Sequence, residues 1–167
     1  ILIHGMVRDS QGRKMSKTLG NGIDPIEIID EYGADSLRFA VISGTTMGND
    51  IRYMPEKLEQ ASNFANKIWN ATKFIRNNDV KDEDIIEFHE EVFDKKTGKY
   101  KEELLHLEDK WIINKLETLI TEVTNNMENY DLGVALDKVY NFIWNEFCDW
   151  YIEMVKPRLY SDDYKEK

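Results

Sequence analysis

Apolar residues recur at spacings of three and four through three long stretches of the chain, the period of a helix with one buried face. The first stripe is Leu58, Ala61, Ala65, Ile68, Thr72 and Ile75, widened by Phe64 and Trp69, and it predicts a helix over 55–77. The second is Ile112, Leu116, Leu119, Val123, Met127 and Tyr130; the third is Leu132, Ala135, Val139, Ile143, Phe147, Trp150 and Met154. Only Tyr130-Asp131 separates the last two, so those helices are expected to pack antiparallel. Pro157 is expected to end the third, because it lacks an amide hydrogen and crowds the residue before it. Trp69, Trp144 and Trp150 fall on or beside the stripes and are expected in the core, with base stacking as the alternative.

The front of the chain reads differently. Ile1 to Val7 is a largely apolar run with no cap or polar lead-in, which predicts a short strand and a chain cut from a longer one. Asp9-Ser10-Gln11-Gly12 is turn chemistry, and Gly20-Asn21-Gly22 reads as a flexible break. Asp24-Pro25-Ile26-Glu27 is a helix start, with Asp24 as cap and Pro25 in the first turn, and Gly33 is its stop. A second short helix over 34–43 ends at Gly44, and 45–54 is expected to be irregular. The predicted class is therefore mainly α: an antiparallel helical bundle preceded by a small strand-loop-helix piece. The expected division is 1–54 and 55–167, the latter carrying an insert over about 79–108 with a small hairpin around Thr97-Gly98.

Composition adds a constraint and removes one. With 41% hydrophobic and 32% charged residues in 167, the chain can bury a core, and no apolar run approaches the roughly 18 residues of a membrane span. Its one cysteine, Cys148, has no partner for a disulfide and no Cys/His neighbours for a metal, so a small apolar role in a reducing, cytoplasmic setting is expected. The net charge of -10 argues against a nucleic-acid partner until its distribution is considered. Residues 1–23 hold four bases (Arg8, Arg13, Lys14, Lys17) and one acid, whereas 79–109 hold twelve acids and five bases. The overall charge therefore leaves the partner open.

The densest candidate chemistry is Gly12-Arg13-Lys14-Met15-Ser16-Lys17-Thr18-Leu19-Gly20-Asn21, two lysines bracketing a serine between glycines. Such a loop suits a polyphosphate, since an ammonium on a flexible stem can follow phosphate oxygens as charge moves between them. Basic surface loops are common, so the residue types alone leave a solvated loop as the other reading. Lys14-Met15-Ser16-Lys17-Thr18 resembles the KMSKS signature of class I aminoacyl-tRNA synthetases. Leu19-Gly20-Asn21, Asp24-Pro25 and Tyr32 to Arg38 are similar to the residues after that signature in the valine, isoleucine and leucine enzymes. Asn63 to Asn70 and Phe142 to Glu153 resemble the valine branch in particular.

The resemblance implies a loop that closes over ATP, brought in as its magnesium complex, while valine is converted to its adenylate. On that implication Lys17 stabilises the pyrophosphate leaving group, Lys14 assists, and Met15, Ser16 and Thr18 complete the nucleotide contact. Thr18 stands where the family usually has serine; the hydroxyl is kept. His4-Gly5 is not the family's HIGH signature, and His4 is expected at a strand end beside the nucleotide pocket. The resemblance implies further that the tRNA for valine is the partner, that the intact enzyme is a cytoplasmic monomer needing no membrane, and that this stretch alone is inactive.

The helical part resembles the anticodon-binding domain of the same enzymes. Asn66, Lys67, Asn70, Lys73 and Arg76, with Asn63, give the first long helix a face of amides and cations suited to base edges and phosphates; a solvated face is the bland alternative. Glu146, Asp149 and Glu153 imitate a metal site in spacing, but without histidine a solvated face or ion pairs to Lys156 and Arg158 are preferred. The rival readings are the isoleucine branch and a helical interaction module with a chance basic loop.

Overall fold

The computed structural model describes residues 4–78 and 89–161, which are mainly helical and fall into two compact units. Residues 4–67 and 119–141 make the first; 68–78, 89–118 and 142–161 make the second. The part of the acidic insert over 79–88 lies outside the described residues.

In the first unit, β1 is Val7–Arg8, paired in parallel with β2, Ile51–Arg52. Residues 1–3 of the strand expected over Ile1 to Val7 lie outside the described residues; of the rest only Val7 is in β1, and the stretch read as irregular supplies its partner. Two residues are a weak strand signal, and a parallel partner over forty positions away leaves no local pattern. The pair is fixed by Ile51 N–H donating to the Met6 carbonyl and Tyr53 N–H to that of Arg8. Asp50 reinforces it by accepting from the Met6 amide and pairing with the Arg8 guanidinium; the amide first, then the guanidinium, hold its carboxyl below the usual range.

Helix α1, Pro25–Tyr32, starts as its sequence asks: Asp24 accepts from Ile26 N–H at 2.8 Å, and Gly33 closes the end. Helix α2 is Ala34–Ile42 and α3 is Pro55–Arg76, whose Leu58, Ala61 and Phe64 are buried. Helix α4 is Leu107–Glu128, and a corner at Tyr130, which takes φ 62°, turns the chain into α5, Leu132–Asn141. Across that corner Lys138 Nζ reaches Glu122 at 2.9 Å. Phe39, Phe64 and Tyr140 bring α2, α3 and α5 together, with ring centroids 4.7 to 6.0 Å apart. Glycine is required at two points here. A Cβ on Gly133 would lie 2.4 Å from the Thr45 carbonyl oxygen, and one on Gly5 would lie 1.8 Å from that of Asn49. The 45–49 loop therefore closely approaches both α5 and the residues before β1, where two side chains are absent.

In the second unit, β3 (Phe93–Asp94) and β4 (Lys99–Tyr100) form the hairpin expected around Thr97-Gly98, with Val92 buried beside it. After α5 the chain continues as a π-helical stretch, Phe142–Tyr151, and then α6, Ile152–Leu159. This changes the predicted stripe. A π turn uses an extra residue, so the buried positions after Ile143 become Cys148, Ile152 and Val155 in place of Phe147, Trp150 and Met154. Cys148 is buried, as an apolar residue would be.

Trp150 is accordingly 63% exposed and not in the core. Trp69 is 67% exposed: beyond Phe64 the half-buried positions of α3 are Lys67, Ala71, Phe74 and Ile75, with Ile68 and Thr72 exposed. Trp144 is half-buried. Pro157 does not stop α6, which runs through it to Leu159. The last turn is anchored from outside by Arg158, which binds Asp109 through both terminal nitrogens at 3.0 and 2.6 Å.

Candidate functional site

The basic loop is built around one carboxylate. Asp9 is only 6% exposed. Its Oδ1 accepts from the backbone amides of Gln11 (3.1 Å) and Arg13 (2.7 Å), and its Oδ2 accepts from Arg13 Nε (2.7 Å) and Asn21 Nδ2 (2.9 Å). The turn below it closes by Gly12 N–H donating to the Asp9 carbonyl and Asp9 N–H to that of Arg13. The Asn21 amide, against the cost of burial and aided by the Arg13 backbone and guanidinium, holds the Asp9 carboxyl down to a pKa of about 2. It is thus an anion at any physiological pH.

Asn21 ties the far end of the loop back to this point. Besides its bond to Asp9, Nδ2 donates to the Lys14 carbonyl at 3.3 Å, and Oδ1 accepts from Ser16 N–H at 2.9 Å. The expected flexible break is therefore a clasp, because the asparagine between the two glycines spends its whole amide on the loop. Ser16 is also used internally: its hydroxyl accepts from Leu19 N–H at 3.2 Å.

The four bases of this region divide into two pairs. Arg8 is matched by Asp50 and Arg13 by Asp9. Lys14 and Lys17 are exposed, and neither is paired with a carboxylate among the described residues. Met15 and Ser16 are half-buried, and Thr18 is exposed. Beside the loop lies an open cleft of about 610 Å³, lined by Lys14 and Met15, by His4 to Val7, by the 45–49 loop, and by Tyr130 and Leu132. Apart from Lys14, His4 and a few loop amides and hydroxyls, its walls are apolar.

Along α3 the amides and cations share a face by spacing. Asn66, Asn70 and Lys73 are exposed, as is Arg76, and Lys67 is half-buried. Exposed Trp69 lies among them, three residues after Asn66, four before Lys73 and seven before Arg76. Of the carboxylates that imitated a metal site, Glu153 makes the expected pair with Lys156 at 2.5 Å, and Glu146 pairs with Lys115 at 3.2 Å. Arg158, expected to serve that group, is bound to Asp109 and lies 3.0 Å from Glu108. The residues that pattern reading did not mark as functional are Asp9 and Asn21. The signal is present in the acid that opens the Asp9 to Gly12 turn and in the lone amide between two glycines, which pattern alone reads as turn chemistry and a flexible break.

Two family models match the chain: residues 1–54 match tRNA synthetases class I (I, L, M and V), and residues 109–167 match the anticodon-binding domain of tRNA ligase. Over its whole length the chain is 56% identical to the valine–tRNA ligase of Clostridium perfringens and 52% identical to that of Clostridium acetobutylicum, spanning 18% of each. Over 96% of its length it is 50% identical to the valine–tRNA ligase of Carboxydothermus hydrogenoformans, of which it spans 17%. A solved leucyl-tRNA synthetase of Agrobacterium radiobacter K84, crystallised with tRNA and LeuAMS, shares the fold: TM-score 0.59 at 23% identity, over 86% of this chain and 17% of that one. The chain thus spans about a fifth of the length of the curated relatives it matches, and its homologues at this level of identity are valine–tRNA ligases.

Proposed function

We propose that this chain is the stretch of a valine–tRNA ligase that supplies the KMSKS loop and an anticodon-binding surface. On this reading residues 1–54 end the catalytic domain and reach the contact with the tRNA stem, and residues 55–167 belong to the anticodon-binding part. In the first half-reaction a valine carboxylate oxygen attacks the α-phosphorus of ATP, and the bond from that phosphorus to the bridging oxygen of pyrophosphate breaks. A ribose hydroxyl at the end of the tRNA then attacks the valyl carbonyl carbon, and AMP leaves. ATP enters as its magnesium complex, a substrate rather than a resident group.

Negative charge grows on the β- and γ-phosphates as the bridging bond breaks. An ammonium already aimed at that position, and not neutralised by a carboxylate, stabilises the transition state more than the bound substrates. Lys17 carries that role, Lys14 supports it, and Met15, Ser16 and Thr18 line the nucleotide. The observation that supports this reading is the sorting of the four bases: the arginines are tied into the scaffold, and the two lysines have no carboxylate partner among the described residues. The Asn66, Lys67, Asn70, Lys73 and Arg76 face, with Trp69 among its charges, suits single-stranded bases that stack on an aromatic ring and are held by amides and cations.

Lys17→Ala in the full-length enzyme is expected to slow valine-dependent pyrophosphate exchange by about 100- to 1,000-fold, roughly 2.7–4 kcal/mol, with valine affinity unchanged. Exchange at the wild-type rate would remove the assignment of the loop. Replacing valine by isoleucine in the same assay separates this reading from the isoleucine branch.

A further inference from the structure

We propose that Asn21 is a positioning residue for adenylate formation, acting with Asp9 as its anchor to hold Lys14 and Lys17 in the register from which they meet the phosphates. This role rests on the assignment of the loop to ATP and deepens it.

The Asn21 side chain has one carbonyl oxygen and two hydrogens to place, and all are placed on the loop: the Ser16 amide, the Lys14 carbonyl and the Asp9 carboxylate. The three partners also fix which way the amide faces, since an N–H must meet the carbonyl oxygen and oxygens must meet the NH₂. Lys14 and Ser16 flank Met15, and Lys17 follows Ser16, so the clasp grips the backbone on each side of Met15. Neither lysine has a carboxylate of its own to settle it among the described residues. Their backbone carries the positional information, and a small misplacement of a catalytic charge is costly.

Asp9 is the fixed end of this arrangement. It is buried, it is tied to the turn by two backbone amides, and it neutralises Arg13, which would otherwise be a third loose charge beside the lysines. Its bond to Asn21 crosses the base of the loop, linking residues twelve apart in sequence. Asn21 itself touches no substrate; it acts through Lys14 and Lys17.

A double-mutant cycle in the full-length enzyme tests this. Pyrophosphate exchange is measured for wild type, Asn21→Ala, Lys17→Ala and the double variant, alongside valine affinity by equilibrium dialysis. The expected results are a kcat at least ten-fold lower for Asn21→Ala with valine affinity unchanged, and little further loss when Asn21→Ala is added to Lys17→Ala. Should Asn21→Ala fold poorly, the isosteric Asn21→Asp takes its place. It keeps the acceptor for Ser16 N–H, loses both donated bonds and is expected to show the same loss. A wild-type kcat for the asparagine variants overturns the proposal, as does an equal loss in both backgrounds, because the residue would then act independently of the lysine. A wild-type rate for Lys17→Ala alone would instead overturn the assignment of the loop, a distinct result.

Discussion

Two buried aspartates organise the two units, and they do so in opposite ways. Asp9 draws its partners from two, four and twelve residues away, half of them backbone amides. Asp109, 9% exposed, draws on residues up to 49 positions away: the Tyr151 hydroxyl at 2.8 Å, both terminal nitrogens of Arg158, and the His106 amide nearby. The first carboxylate shapes a local loop and leaves its two lysines without a carboxylate among the described residues. The second consumes every charge it meets. Similar sets of hydrogen bonds thus yield a presented site in one case and a closed lock in the other, and what separates them is whether any positive charge is left over.

The largest expected effect breaks the lock. Asp109→Ala leaves Arg158 with only the charge of Glu108 nearby among the described residues, and urea unfolding of the chain is expected to show a loss of about 3 kcal/mol. A loss under about 1 kcal/mol would mean that the cluster holds nothing together.

Acid comes next and touches both aspartates. Burial raises the Asp109 pKa, but the hydrogen bonds from Arg158 and Tyr151 outweigh it and hold the group below its ordinary value. Asp9 lies at about 2 against an ordinary 3.8. Both are depressed, so their contribution to stability is complete above about pH 4 and is lost as pH falls through the folded values. Tyr151 has the opposite sign: burial, then the adjacent Asp109, push its phenol above 10, so its contribution is present below pH 10 and fades above it. Unfolding free energy measured from pH 2 to 11 is expected to be flat in the middle and to fall at both ends. A decline between pH 5 and 8 would contradict this.

Trp150→Ala is expected to change stability by less than about 1 kcal/mol, because most of the ring is already in solvent. Lys17→Ala should change it least, within about 0.5 kcal/mol, despite its effect on exchange. Thermal melts of the two variants sharpen the contrast: a site residue moves rate without stability, and a lock residue moves stability.

The same contrast explains what was legible from the residues alone. The loop, the cap at Asp24, the stop at Gly33 and the hairpin at Gly98 are written in contacts a few positions long, which sequence spacing can carry. The cluster at Asp109 is not, since nothing local marks Arg158 as its partner; the same remote anchor carried α6 past Pro157. The exposure of Trp150 was hidden for a different reason. Helical spacing assumes one constant pitch, and 142–151 does not keep it. Asn21 lay within reach of a local reading, but glycine on both sides made it look like slack.

That change of pitch gives the chain a built-in chemical gauge. Its single thiol, at Cys148, faces inward only because the helix slips by a residue before reaching it. Deleting one residue between 144 and 147 would let the segment wind as an ordinary α-helix and keep the thiol in step with the buried side. Leaving the length unchanged while forcing α geometry would instead swing the sulfur outward and offer it to a disulfide reagent. The rate of thiol labelling therefore reports the winding of this helix, with one sulfur atom serving as the pointer.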